Sequence, residues 1–201
     1  MDFFVFRNMK INKDTFLENK KDFLSFSRFC LNTAQRTKEE NITKGLQYFE
    51  KNYAEIKKRI DKKDIDTLKD FVYNTKGVGQ KIGSMMLEFI YLYSNKKDEK
   101  IAGELYVPLD THITRLFKEC FHVENVPGAS QLNIADKKFQ DFQASLRKYT
   151  NGKPVVYFDY LWFIGKVFCN KVNPHGEKNR GYKLCNLCWL KTSCGSHDKW
   201  L

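Results

Sequence analysis

The heptapeptide Thr-Lys-Gly-Val-Gly-Gln-Lys, residues 75–81, joins two predicted helices and decides how this chain folds. Glycine tolerates positive φ angles and leaves neighbouring backbone N–H groups uncovered, so Gly77 and Gly79 permit a tight turn. Backbone N–H groups at the start of the following helix are a favourable place for a phosphate. The same pattern, taken alone, is also typical of an ordinary helix–turn–helix corner.

Lys81 stands in the first turn of the helix that follows. A cation there faces the positive end of the helix dipole, which disfavours the ammonium form. A partly buried lysine that is held as the neutral amine can attack electrophilic carbon. Spacing alone nevertheless favours a phosphate-contacting or surface lysine over a nucleophile.

Outward from this turn, the chain is predicted to be mainly helical. The apolar residues of 82–93 recur at the spacing of one helix face, which predicts a core helix. The chain has four prolines and no hairpin dipeptide between alternating strands. We expect helices over about 16–34, 39–60, 64–73, 81–93, 111–120, 136–149 and 154–168, and a solvated loop over 95–100.

Composition and charge limit the classes of function. The 201 residues are 42% apolar, enough for a sizeable core, and no apolar run approaches membrane-spanning length. The start of the chain lacks the features of a secretory signal, so we expect an intracellular protein, cytoplasmic or nucleoid-associated, or nuclear in a eukaryote. The formal charge of +11 fits either a lysine-rich solvated surface or attraction to a nucleic acid.

The six cysteines fall into two groups. Cys30 and Cys120 stand alone in apolar surroundings and are predicted to be buried structural residues. The other four are spaced C-x15-C-x2-C-x5-C, and four thiolates suit either a [4Fe–4S] cluster or a structural zinc. They are Cys169, Cys185, Cys188 and Cys194, with His175 as a less favoured substitute ligand.

Two ordered segments carry a family resemblance. The segment 77–81, followed by Pro-Leu-Asp-Thr-His-Ile at 108–113, resembles the helix–hairpin–helix and "G-P-D" elements of the DNA glycosylase superfamily, particularly the endonuclease III type. Leu-Asn-Thr-Ala-Gln at 31–35 resembles the family's "L-S-A-Q" segment. Residues 164–169 with the last three cysteines resemble its C-terminal iron–sulfur loop, although Ile164 replaces the family histidine and the first gap is longer.

The resemblance implies an all-α fold of two helical lobes with a DNA-binding cleft between them. The lobe with the helix–hairpin–helix motif would comprise residues 30–125. The second would comprise 1–29 and 126–201 and end in a metal-cluster loop at 169–194. The four cysteines would bind a [4Fe–4S] cluster, with zinc as the alternative.

The resemblance also implies an activity. A monomer would bind double-stranded DNA containing a damaged base or abasic site, excise the base and cleave the strand by β-elimination. Lys81 would form the Schiff base and Asp110 would be the catalytic carboxylate. Residues that would contact DNA are Gln35, Gly77, Val78, Gly79, Gln80 and His112.

Four alternatives stay open, two for the function and two for single residues. The enzyme would be specific for 8-oxoguanine instead of oxidised pyrimidines, or the chain would be a non-catalytic helix–hairpin–helix DNA-binding module. Asp110 would be only an N-cap of its helix, since aspartate is favoured there. Gln35 would be only the C-terminal residue of its helix.

Overall fold

The computed structural model describes residues 11, 15–32, 38–93, 99–123, 126–128, 133–167, 188, 192 and 194. Within them the chain forms eight α-helices and no strand, which confirms the all-α prediction for this part of the chain. The helices are α1 (Lys20–Asn32), α2 (Glu39–Lys62), α3 (Ile65–Tyr73), α4 (Gln80–Tyr93), α5 (Glu99–Glu104), α6 (Thr111–Arg115), α7 (Lys137–Tyr149) and α8 (Pro154–Val167).

The chain divides into two compact units. Unit 1 comprises Met1–Pro108 and Asn151–Val155, and unit 2 comprises Leu109–Thr150 and Val156–Leu201. The lobe boundaries expected from the sequence stay a prediction.

Side-chain caps fix the beginnings of two helices in unit 1. The carboxamide oxygen of Asn19 accepts the backbone N–H of Lys21 at 2.9 Å before α1 begins. The carboxylate of Asp64 accepts the N–H of Thr67 at 3.2 Å before α3. Such caps satisfy N–H groups that have no partner within the helix. The left-handed residue Lys63, with a φ of 57°, ends α2 just upstream.

Aromatic side chains dominate the core of unit 1. The ring of Phe26 in α1 lies edge-on to Phe89 of α4, with centroids 5.5 Å apart, and Phe23 lies edge-on to Phe49 of α2 at 6.1 Å. The predicted apolar face of α4 is confirmed, because its members at positions 82, 86, 89 and 90 are all buried. This helix therefore has a fixed rotation about its axis, with Lys81 on its exposed side.

The expected loop over 95–100 is wrong for its last two residues, which begin α5. The charged side chains in this stretch suggested a solvated segment. However, Ile101, Ala102 and Leu105 are buried, and their burial stabilises a short helix that its composition does not indicate. Residues 94–98 lie outside the described part of the chain.

Unit 2 contains a helix with a change of winding. The helix predicted over 111–120 is α-helical only to Arg115 and continues as a π-helical turn over Leu116–Cys120. The N–H of Phe121 donates to the carbonyl of Leu116 at 3.3 Å, five residues earlier. The ring of Phe117 packs perpendicular to Phe142 of α7, with centroids 5.4 Å apart.

The two isolated cysteines are both buried, as predicted. Cys30 lies in the core of unit 1, where burial raises the pKa of its thiol well above the ordinary value. Cys120 ends the π-helical turn of unit 2.

The outer face of α8 is unusually apolar. Val156, Tyr157, Tyr160 and Phe163 are all exposed, and Tyr160 is 64% accessible. No helix in the described part of the chain is long and apolar enough to cross a membrane.

Candidate active site

The turn between α3 and α4 has the backbone geometry that its glycines suggest. Gly77 has a φ of 86°, a left-handed conformation that glycine adopts readily. The N–H of Val78 donates to the carbonyl of Thr75 at 3.0 Å and closes the turn. The carbonyl of Gly79 accepts the N–H of Gly83 at 2.9 Å, which is the first bond of α4.

Gly79 leaves the start of α4 open. A Cβ built at this residue meets no atom within 4 Å, and the residue is exposed. The helix start is therefore accessible from outside the protein. A phosphate can approach backbone at such a position, where the dipole of the 14-residue α4 is positive.

Helix α2, which comes before α3 in the chain, packs closely against this turn. A Cβ at Gly45 would lie 2.9 Å from the carbonyl oxygen of Lys76 and 3.3 Å from the methyl group of Thr75. Thr75 is buried, and its hydroxyl donates to the carbonyl of Phe71 at 2.8 Å. The inner side of the turn thus packs against α2, and this packing holds the solvent-facing side of the turn in one conformation.

The two helices of the hairpin are tied by Tyr73. Its hydroxyl lies 2.8 Å from the hydroxyl of Ser84, and its ring covers Gly83 so closely that a Cβ there would lie 2.4 Å from Cε1. Burial raises the pKa of Tyr73, so the phenol stays protonated and can donate a hydrogen bond.

The side chains of the hairpin separate into buried and exposed sets. Val78 and Gln80 are buried, so any contact that they make with DNA is made through the backbone. Lys76 and Lys81 are exposed on either side of the open glycine. From the sequence, partial burial is expected to help hold a nucleophilic lysine as the neutral amine. The side chain of Lys81 is instead exposed.

In unit 2, Asp110 occupies the N-cap position of α6. Its Oδ1 accepts the backbone N–H groups of His112 and Ile113 at 2.9 and 3.0 Å. These bonds confirm that Asp110 caps α6, and its catalytic role stays a prediction. Only 6% of the residue is exposed, so a buried carboxylate lies at the start of this short helix.

Trp162 of α8 holds the second oxygen of the same carboxylate. Its indole Nε1 donates to Oδ2 of Asp110 at 2.8 Å. The His112 ring is nearly perpendicular to the indole, with an interplanar angle of 80° and centroids 5.8 Å apart, and Nζ of Lys166 lies 4.3 Å from the centre of the indole ring. The indole is therefore fixed by a hydrogen bond, a ring contact and a cation–π contact.

Arg115 joins α6 to α8 on this side of unit 2. Its Nη2 donates to the carbonyl of Gly165 at 2.7 Å and lies 3.2 Å from Nδ1 of His112. A guanidinium can only donate, so this contact favours the histidine tautomer with its proton on Nε2. His112 then presents an N–H donor on the other side of its ring.

Apart from Cys188 and Cys194, the predicted site residues fall into three sets. The hairpin residues 77–81 lie together in unit 1, and Asp110 and His112 lie together in unit 2. Gln35, Cys169 and Cys185 lie outside the described residues. Sequence reasoning missed Trp162 and Arg115, because a tryptophan in an apolar helix indicates core and an arginine in a helix indicates surface.

Cys188 and Cys194, the two described residues among the four predicted metal ligands, belong to an apolar cluster in unit 2. Its buried members include Leu116 and Cys120, and neither loop cysteine forms a disulfide in the described part of the chain. Among the described residues alone, no group of three or more potential ligands is arranged around a metal position. Two of the four predicted ligands are outside that part of the chain, so the ligand set stays a prediction.

Comparison of the chain with protein-family models, with curated proteins and with solved structures gave no significant match.

Proposed function

We propose that this protein is a base-excision-repair DNA glycosylase with abasic-site lyase activity, in which Lys81 is the nucleophile and Asp110 the catalytic carboxylate. The observation that supports the proposal most is the hairpin turn. The exposed residue Gly79 precedes α4, and exposed lysines flank it at positions 76 and 81. A DNA backbone phosphate can approach the backbone at Gly79 with Lys76 as its cation, which leaves Lys81 for the sugar.

The environment of Asp110 supports the second role. Three N–H groups donate to its two oxygens, which fixes the direction of the carboxylate before any substrate binds. A fixed carboxylate stabilises positive charge that develops at a sugar during loss of the base. The carboxylate of Asp110 therefore does not have to reorient while that charge develops.

The proposed chemistry takes place at one deoxyribose. The target nucleotide leaves the base stack, which is least costly for a damaged or mispaired base. The neutral amine of Lys81 attacks C1′, the bond from C1′ to the base breaks, and the base leaves with that electron pair and takes up a proton. Opening of the sugar ring gives a C1′ imine with the lysine. Removal of a proton from C2′ then breaks the bond from C3′ to its oxygen.

A [4Fe–4S] cluster in the C-terminal loop is part of the proposal. Cys188 and Cys194 lie in one apolar cluster and form no disulfide among the described residues, so their sulfur atoms suit two of the four ligand positions. Cys169 and Cys185 would supply the others. When bound, the cluster would fold the loop and direct its lysines toward phosphates, without taking part in excision.

A second candidate function is a non-catalytic helix–hairpin–helix module that binds duplex DNA. The exposure of Lys81 favours it, because an exposed lysine is a good phosphate contact. Both candidates predict binding that weakens with salt, whereas only the enzyme forms a covalent adduct with DNA.

Borohydride trapping distinguishes the two. The protein is incubated with duplexes that carry an abasic site, 8-oxoguanine or an oxidised pyrimidine, with and without borohydride. We expect a trapped complex that Lys81→Ala abolishes while its circular dichroism and duplex binding persist. Lys51→Ala, which changes an exposed lysine of α2, is the matched control. Duplex binding with no adduct on any substrate would establish the binding module instead.

Asp110→Asn tests the carboxylate, because asparagine also caps helices. We expect this variant to bind duplex DNA as the parent does and to lose most excision. The double variant with Lys81→Ala should be no slower than the slower single variant, because groups that act in one step are not additive. The iron, acid-labile sulfide and zinc contents of the purified protein show whether it binds a [4Fe–4S] cluster or zinc.

A further inference from the structure

We propose that Trp162 is a positioning residue for Asp110, and that its indole N–H directs the carboxylate used in base excision. This inference rests on the proposed function for its catalytic consequence. The underlying contact is the 2.8 Å bond from Nε1 to Oδ2.

The two oxygens of Asp110 have different kinds of support. Oδ1 is held by two N–H groups of the α6 backbone, which any N-cap aspartate can use. Oδ2 is held by a side chain 52 residues later in the chain. The first set fixes the position of the carboxyl group, and the indole fixes its rotation about the bond from Cβ to Cγ.

The indole is itself held in place before substrate arrives. The indole ring packs nearly perpendicular to the His112 ring, and Lys166 lies over the indole face. A positive charge over the ring withdraws electron density and makes the indole N–H a stronger donor. The carboxylate is thus preorganised by a tryptophan that does not need to touch the substrate.

A spectroscopic measurement tests the contact independently of catalysis. The protein has three tryptophans, and loss of one indole signal in Trp162→Phe assigns the Trp162 N–H resonance in a ¹H–¹⁵N spectrum. We expect this proton to be downfield and protected from exchange with water. In Asp110→Asn, which retains the helix cap, it should move upfield and exchange faster. An unchanged resonance in that variant would refute the contact.

A kinetic measurement tests the consequence. Trp162→Phe retains an aromatic ring and removes the N–H, so we expect the single-turnover excision rate to fall by about tenfold to hundredfold. Affinity for the same duplex should change little. Tyr160→Phe, at an exposed position of the same helix, is the matched control and should retain the parent rate.

The two proposals fail in different ways. If no substrate is excised by the parent protein but the Trp162 resonance responds to Asp110→Asn, the contact stands and the proposed function fails. If the parent excises a base and Trp162→Phe does so equally fast, the function stands and the positioning role is refuted. A loss of affinity as large as the loss of rate would show that Trp162 binds DNA and does not act through Asp110.

Discussion

The backbone of Gly165 in α8 lies directly against the carbonyl of His112 in α6. A Cβ at Gly165 would lie 2.7 Å from that oxygen and 3.0 Å from its carbon. Both neighbours are backbone atoms, so they cannot rotate away as a side chain would. The close contact between α6 and α8 therefore needs a residue without a side chain at position 165.

Gly165→Ala should therefore destabilise the protein by about 1–3 kcal/mol, as overpacking typically does. Urea unfolding measures this effect. The matched control is Gly128→Ala, since a Cβ at Gly128 meets nothing within 4 Å. Equal stability of the two variants would show that α6 and α8 separate at little cost.

Gly77→Ala should destabilise the hairpin for a different reason. The φ of 86° places this residue in the left-handed region, where a Cβ costs about 1–2 kcal/mol. Gly77→Asn should retain more stability than Gly77→Ala, because asparagine tolerates this region better. Thermal unfolding of both variants gives the comparison. If Gly77→Ala were more stable than Gly77→Asn, the room available for a side chain, and not the backbone conformation, would explain the glycine at this position.

Lys76→Ala should weaken duplex binding in a salt-dependent way. Each lysine that neutralises one phosphate contributes about one to the slope of log K against log salt concentration, so the slope should become shallower by about that amount. Titrations at several salt concentrations measure it, with Lys51→Ala of α2 as the control. An unchanged slope would place Lys76 outside the DNA contact.

Acid should destabilise unit 1 partly through Asp64. The hydrogen bond from Arg59 and the backbone N–H of Thr67 lower the pKa of Asp64, and Arg59 is the larger cause. A lowered pKa means that the folded state holds the ionised form more strongly than the unfolded chain. The resulting stability is complete above the ordinary aspartate range and is lost as the pH falls through the lowered pKa.

Asp64→Asn removes this ionisation and retains an N-cap. We expect it to be less stable than the parent at neutral pH, with the difference shrinking as the pH falls below the aspartate range. Urea midpoints across the acid range check this. A difference that is constant with pH would show that capping alone accounts for the effect.

Most helices could be predicted from the sequence because they bury one regular face. In α4, Ile82, Met86 and Phe89 recur at helical spacing, and all three are buried. The missed α5 has only six residues, too few for a pattern to repeat. Its stability comes from tertiary burial of Ile101 and Leu105, which local composition does not reveal.

The candidate site was predictable only where its residues are close together in the chain. The capping role of Asp110 depends on residues two and three positions later in the chain, so local pattern sufficed. The bond from Trp162 spans 52 positions, and nothing in an apolar helix distinguishes a tryptophan that donates to a carboxylate from one that only packs. The exposure of Lys81 likewise depends on how α4 rotates in unit 1.

The π-helical turn at Leu116–Cys120 gives this part of unit 2 a tolerance to changes of chain length. Its hydrogen bond spans five residues instead of four, so the turn accommodates one residue more than an α-helix does. Deleting one residue there restores α-helical winding and removes no loop. Because the wide turn takes up the extra residue locally, the residues after such a deletion keep about the direction that they have now. Cys120 would then stay in the apolar cluster that contains Cys188.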